Sequence, residues 1–317
     1  LKFMTGKIYF DLDTSWVNNI KINLSAVERR TATLIKRRTV KKEYQVAWLL
    51  KAINLLDLTT LSGDDTFGKV SKLCQKGLSP VSNIILKELE IKNKSLKVGA
   101  ICVYHDLVSH AKNFLQNKLP VAVVSTGFPA GLSSIQTRKK EIVNSINNGA
   151  DEVDIVINRS HVLRNDWKRL YDEVREFKEL TKGRKMKAIL GVGDLATLRK
   201  VAKASLVCMM AGADFIKTST GKEKINANLN NSLVMLRMIR EFYDYTGKKI
   251  GFKPAGGISS AKDVLNYLML VYEELGKDWI SSKLFRVGAS SLLIDIERQL
   301  YHYALGRYAT ANKMAIS

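Results

Sequence analysis

Asp214-Phe-Ile-Lys-Thr-Ser-Thr-Gly-Lys222 reads as a short apolar strand that stops on Lys217 and opens into a hydroxyl-rich turn, where Gly221 lets the backbone bend sharply or approach a ligand. Taken alone, a lysine at a strand end is equally a side chain reaching for water. A second stretch, Ile250-Gly-Phe-Lys-Pro-Ala-Gly-Gly257, repeats the layout one strand–helix unit later, with Lys253 at the strand end and a glycine pair after it. On adjacent parallel strands the two lysines converge.

Outward from these two stretches, residues 41 onward alternate between strand and helix patterns. Strands are expected at 54–58, 98–104, 121–125, 153–158, 186–190, 214–217, 250–253 and 284–287. Helices are expected at 41–53, from Asp64-Asp65-Thr66 toward Gly77, through Asn117, after the loop 126–131 to Asn148, and at 165–180, 194–210, 231–245, 260–275 and 291–301. Eight strand–helix units over this length predict an α/β fold, a closed (β/α)8 TIM barrel spanning 41–303, with a basic N-terminal extension (1–40) and a C-terminal tail (304–317). The site of such a barrel lies at the C-terminal ends of its strands, where Lys217, Lys253, Asp57 and the glycines Gly256 and Gly257 fall. Asp154 interrupts the apolar run Val153 to Ile157, so it is either half of a buried ion pair or a group aimed into the barrel mouth.

The 317 residues are 46% hydrophobic and suffice for a large core. Cys74, Cys102 and Cys208 lack metal-ligand spacing and read as reduced structural thiols of an intracellular protein. Neither a long apolar run nor a secretory signal stands in the sequence, so no membrane contact is expected, and the protein is expected in the cytoplasm and also the nucleus. Lys and Arg outnumber Asp and Glu by 51 to 30, which favours anionic partners, whether a phosphorylated metabolite or nucleic acid. Arg29-Arg30, Lys36-Arg37-Arg38 and Lys41-Lys42 make the extension either a polyanion patch, with weak RNA contact, or a solvated arm.

Other chemistries fit less well. Gly191-Val-Gly-Asp-Leu-Ala196 matches a dinucleotide fingerprint, but the next strand ends on Lys217 where a ribose-binding acid is needed. His105, His110, His161 and His302 show no metal-ligand spacing, so neither metal nor cofactor is expected, and no GxSxG elbow occurs. A lysine amine at a barrel mouth attacks a carbonyl to form a Schiff base, an electron sink for cleaving the adjacent carbon–carbon bond. That requires a neutral amine, and a neighbouring ammonium such as Lys253, aided by desolvation, favours one. Asp154 is placed to move protons.

Leu56-Asp-Leu-Thr-Thr-Leu61, Ala100-Ile-Cys-Val-Tyr104, Gly149-Ala-Asp-Glu-Val-Asp-Ile155, the two lysine stretches and Phe285-Arg-Val-Gly-Ala-Ser-Ser-Leu292 together resemble the successive motifs of the deoxyribose-phosphate aldolase family. The resemblance runs from about residue 50 to 303, and Ser125-Thr-Gly-Phe-Pro-Ala-Gly131 is similar to its animal branch. It implies a metal-free class I aldolase that reversibly cleaves a phosphorylated sugar, 2-deoxy-D-ribose 5-phosphate. It further implies Lys217 as the Schiff-base lysine, Lys253 as the lysine that lowers its pKa and Asp154 as the proton relay. Asp57 and Thr59 match the polar pair near the substrate hydroxyls, and Cys102 the cysteine of the pocket. Thr220, Gly221, Lys222, Gly256, Gly257, Gly288, Ser290 and Ser291 match the substrate-binding and phosphate-holding region. Val192-Gly-Asp-Leu195 departs from the family's Thr-Gly-Glu-Leu near the sugar, and the ending Met-Ala-Ile-Ser317 lacks the tyrosine that some bacterial relatives carry. A homo-oligomer is expected. The alternatives are a sugar-phosphate-binding barrel without turnover and a nucleic-acid- or granule-associated protein acting through the basic arm.

Overall fold

The run Val121-Ala-Val-Val-Ser125, apolar on both faces, forms the fully buried strand that a parallel sheet covered by helices requires. The computed structural model describes residues 9–37, 40–91 and 96–310. In chain order the helices and strands are α1 (Thr14–Asn19), α2 (Leu24–Arg37), α3 (Lys42–Ile53), β1 (Leu56–Thr59), α4 (Phe67–Leu78), α5 (Asn83–Glu88), β2 (Ala100–Tyr104), α6 (Val108–Leu115), β3 (Val121–Ser125), α7 (Ile135–Asn147), β4 (Glu152–Val156), α8 (Arg159–Leu163), α9 (Trp167–Leu180), β5 (Lys185–Ile189), α10 (Leu198–Met210), β6 (Phe215–Lys217), α11 (Leu229–Thr246), β7 (Gly251–Lys253), α12 (Ala261–Leu275), β8 (Val287–Ala289) and α13 (Leu292–Leu305).

All strand pairs are parallel, in the order β7-β6-β5-β4-β3-β2-β1-β8. The bridges Phe252 with Phe285 and Ala255 with Gly288 close the circle between β7 and β8. The eighth strand starts three residues later than its apolar pattern suggests. Residues 284–286 reach β7 only through isolated hydrogen bonds, and the ladder with β1 begins at Val287. The helix expected from Asp194 starts at Leu198 instead, because Ala196 takes a left-handed φ of 63° and the Thr197 side chain caps the backbone N–H of Lys200.

The extension departs most from expectation. Its described part is no solvated arm: α1 and α2 lie against α10, α11 and α12, with Phe10, Val17, Ile20, Val27 and Leu34 buried in the main core. Trp16 stacks on Phe242 and donates through Nε1 to Glu241 at 2.6 Å. Part of the basic run is neutralised, since Arg30 lies 2.5 Å from Glu273 and 3.3 Å from Glu274. Arg38 lies outside the described residues, as do residues 311–317 of the tail. No described helix is long and apolar enough to cross a membrane.

Five buried side chains at about 1.5–3 kcal/mol each bring on the order of 10 kcal/mol of gross apolar burial, from which the cost of ordering the segment is subtracted. Deleting residues 1–37 uncovers the apolar surface that these helices cover and is expected to lower the folding stability, read as a fall in Tm or in soluble yield. An unchanged Tm contradicts this.

Candidate active site

Strand periodicity puts residues two apart on one face, so Glu152 and Asp154 of β4 point together into the barrel. Asp154 stands in register with Lys187 on β5, and Lys217 with Lys253 across β6 and β7. Asp57 enters from β1, and Arg286 from the segment before β8. These seven side chains gather in a dry interior: Asp57, Asp154, Lys187 and Lys253 are wholly buried, and Lys217, Arg286 and Glu152 nearly so.

Asp154 is the hub. Its Oδ2 accepts from Lys217 at 2.9 Å and from Lys253 at 2.8 Å, and its Oδ1 accepts from Lys187 at 2.7 Å. Burial alone would raise its pKa, yet the three ammonium groups hold it well below the usual carboxylate range. For Lys253, burial works against the charge, but Asp154 and Asp57 outweigh it and keep the ammonium above the ordinary lysine value. Lys217 goes the other way. Burial is the largest cause that lowers it, repulsion from Lys253 adds to this, and Asp154 only partly offsets both. The ordering expected from the sequence, with the neighbouring ammonium first and desolvation second, is thus reversed.

Above this cluster a cavity of about 450 Å³ opens at the C-terminal ends of the strands, with Lys217 in its wall. Thr59, Thr220, Gly221, Lys222, Gly256, Gly257, Gly288, Ser290 and Ser291 line it, together with Lys69. Among the described residues, no carboxylate lines it. Gly256 has a φ of 80°, and a Cβ there would meet the Asn226 side chain at 2.7 Å. Ser219 Oγ donates to Ala255 O at 2.5 Å, tying the turn after β6 to the one after β7. The fourteen-residue α13 begins at Leu292 beside Ser290 and Ser291, so its N-terminal backbone N–H groups supply positive potential at that end.

Two predicted residues, Asp57 and Cys102, and Asp194 of the divergent segment do not line the cavity. Asp57 does not face the cavity: it is wholly buried between Lys253 and Arg286, because its strand position points to the barrel axis below the mouth. Cys102 is likewise buried, packed with Ala122 and Val124 under Leu61, Tyr104 and Phe128, and burial raises its thiol pKa. Asp194, in the divergent Val192 segment, pairs with Arg159 at 3.0 Å and is absent from the cavity wall. Sequence reasoning missed Lys187, Glu152, Arg286 and Lys69; for the first three the available signal was a charge alternating with apolar residues inside a strand. A further cavity of about 520 Å³, between α1, α2 and α11, holds none of the predicted residues.

Comparison with known proteins agrees with this fold. The family model described as DeoC/LacD family aldolase matches residues 51–294. The chain is 51% identical over 310 residues to the deoxyribose-phosphate aldolase of Homo sapiens, covering 97% of this chain and 98% of that protein. The deoxyribose-phosphate aldolase of Mus musculus gives the same identity and coverage. Among solved structures, the deoxyribose phosphate aldolase of Aeropyrum pernix shares the fold with a TM-score of 0.60 at 18% identity, covering 88% of this chain and 99% of that one. A barrel with a buried two-lysine site and a match over most of its length identify this chain as a member of the DeoC/LacD family of aldolases.

Proposed function

We propose that the protein is a deoxyribose-phosphate aldolase that works through a Schiff base on Lys217. The observation that carries this reading is the contrast at the cavity wall: Lys217 is the buried lysine that reaches the cavity, and its proton is disfavoured where that of Lys253 is held. The neutral Lys217 amine attacks C1 of open-chain 2-deoxy-D-ribose 5-phosphate, and loss of water from the carbinolamine leaves a protonated imine. Removal of the C3 hydroxyl proton breaks the C2–C3 bond, its electrons pass into the imine, and D-glyceraldehyde 3-phosphate departs. Protonation of the enamine at C2 and hydrolysis release acetaldehyde.

Asp154 serves the proton steps. One oxygen accepts from both lysines, so a proton moves between Lys253 and the nitrogen of Lys217 across a single carboxylate. Held well below its usual pKa, Asp154 passes the proton on and does not keep it. The phosphate is held by the main-chain N–H groups of the Gly256-Gly257 turn and the start of α13, with Ser290, Ser291, Lys222 and Lys69 around it. The exposed Arg29, Lys36, Lys41 and Lys42 support weak, salt-dependent contact with polyanions, which Arg30, already paired, does not join.

Incubation with 2-deoxy-D-ribose 5-phosphate and assay of acetaldehyde tests the reading directly: release dependent on the enzyme is expected, and none contradicts it. The phosphate site has its own test. Ser290→Asp puts a negative charge beside the phosphate and is expected to raise KM about tenfold or more while kcat at saturation falls less. Equal kcat/KM for deoxyribose with and without its phosphate removes the phosphate site from this account.

A further inference from the structure

The interior charges are ordered. Arg286 contacts Glu152 Oε1 at 2.9 Å through Nη2 and Asp57 Oδ1 through Nη1. Asp57 Oδ2 meets Lys253 at 2.5 Å, and Lys253 meets Asp154 Oδ2 at 2.8 Å. Asp154 Oδ1 meets Lys187 at 2.7 Å, and Lys187 returns to Glu152 Oε2 at 2.6 Å. In these close contacts each carboxylate spends its two oxygens on two different cations and each cation bridges two carboxylates; a longer contact of 3.7 Å crosses the ring from Lys187 to Asp57 Oδ2. The Asp57–Lys253 and Glu152–Lys187 contacts are close ion pairs without hydrogen-bond direction; the other four are hydrogen bonds.

We propose that Glu152, Lys187 and Arg286 are positioning residues for the aldol reaction: with Asp57, Asp154 and Lys253 they close a neutral ring of alternating charge, leaving Lys217 as the interior cation without a carboxylate of its own. Three carboxylates balance Lys187, Lys253 and Arg286. Lys217 has only Asp154 Oδ2, which Lys253 already shares. A further positive charge beside a neutral ring, where water is excluded, lacks compensation, so the proton leaves Lys217 before any member of the ring. The direction of each group agrees: Lys187, Lys253 and Arg286 are held above their ordinary pKa values and Lys217 below. Among the described residues, the other titratable groups near the ring are Lys185, half-buried at 4.0 Å from Glu152, and the Cys102 thiol, which burial keeps protonated beside Lys217 and Lys253. The ring explains why Lys187, as buried as Lys253 and nearer the floor, is no rival nucleophile.

This inference rests on Lys217 as the imine-forming lysine, and the test separates the two. Acetaldehyde is added across a pH series, the imine is trapped with borohydride, and the labelled residue and the midpoint of trapping are recorded. Lys187→Met and Arg286→Met each leave a carboxylate short of a cation, so Lys217 becomes the counter-ion and the midpoint is expected to rise by about one unit or more. Lys187→Arg keeps the charge and the wild-type midpoint. The double variant Glu152→Gln with Lys187→Met restores neutrality and is expected to bring the midpoint back toward wild type, which a purely structural role does not predict. Label on Lys217 with the same midpoint in wild type and both Met variants overturns the ring; label on another lysine overturns the reading beneath it. If one Met variant fails to fold, the other decides. If both fail, cyanate labelling of the wild-type enzyme at neutral pH decides: carbamylation of Lys217 with Lys187 and Lys253 spared supports the ring, and comparable carbamylation of either overturns it.

Discussion

Lys217→Met is expected to lower kcat by at least about 10⁴-fold, or ~5.4 kcal/mol of barrier, while leaving the fold intact. Nothing else in the site can take its place. Lys253 and Lys187 are held as ammonium groups by carboxylates, and Lys222 and Lys69, on the cavity wall, lie outside the buried cluster, Lys69 paired with Asp65 at 2.9 Å. Methionine fills nearly the same volume, and its thioether leaves the three carboxylates balanced by Lys187, Lys253 and Arg286. The variant should therefore melt at or above the wild-type temperature and still bind inorganic phosphate, because the phosphate-holding turns are untouched. Calorimetry of phosphate binding beside steady-state turnover reads both halves of this result. Turnover within about tenfold of wild type contradicts the assignment of Lys217.

The second large effect concerns Lys253. Lys253→Leu removes the ammonium that repels the Lys217 proton, and it leaves Asp57 and Asp154 short of a partner, which makes Lys217 the nearest counter-ion. Both changes raise the Lys217 pKa. A lysine at its ordinary value of ~10.4 is neutral in roughly one molecule in 2,500 at pH 7. Because burial, the larger cause of the depression, remains, activity at pH 7 is expected to fall by about 10²- to 10³-fold and to recover as pH rises. Lys253→Arg retains the charge, so its loss arises mainly from geometry, with a smaller shift of the pH profile. Single-turnover imine formation across pH distinguishes these outcomes. An unchanged midpoint in Lys253→Leu assigns the activation of Lys217 to burial alone.

Much of this was legible in the sequence, for reasons that can be named. The third strand was read to the residue, because its apolar run is bounded by Pro120 and by the Thr126-Gly127 turn. Lys217 and Lys253 stood out because each ends a strand and precedes a glycine turn. The ring did not stand out. Lys187 lies between Met186 and Ala188, and Arg286 between Phe285 and Val287, where a charged residue looks like an exposed side chain of an alternating strand. Only barrel closure brings β8 beside β1 and sets Arg286 against Asp57 and Glu152, so long-range pairing carried that information. Asp57 was read as facing substrate for the same reason: its strand was recognised, and the cations that enclose it were not. The docking of α1 and α2 was hidden by charge, since the basic residues of α2 drew attention from the buried stripe of Val27, Thr31 and Leu34 beneath them.

The central claim is that Lys217 is the nucleophile, and one measurement addresses it with the fewest assumptions. The enzyme is incubated with 2-deoxy-D-ribose 5-phosphate or acetaldehyde, reduced with borohydride, digested and mapped by mass spectrometry. The account predicts one reduced adduct per chain, on the peptide carrying Phe215-Ile-Lys-Thr-Ser219 and located to Lys217. An adduct on Lys253 or Lys222, with Lys217 unmodified, contradicts it.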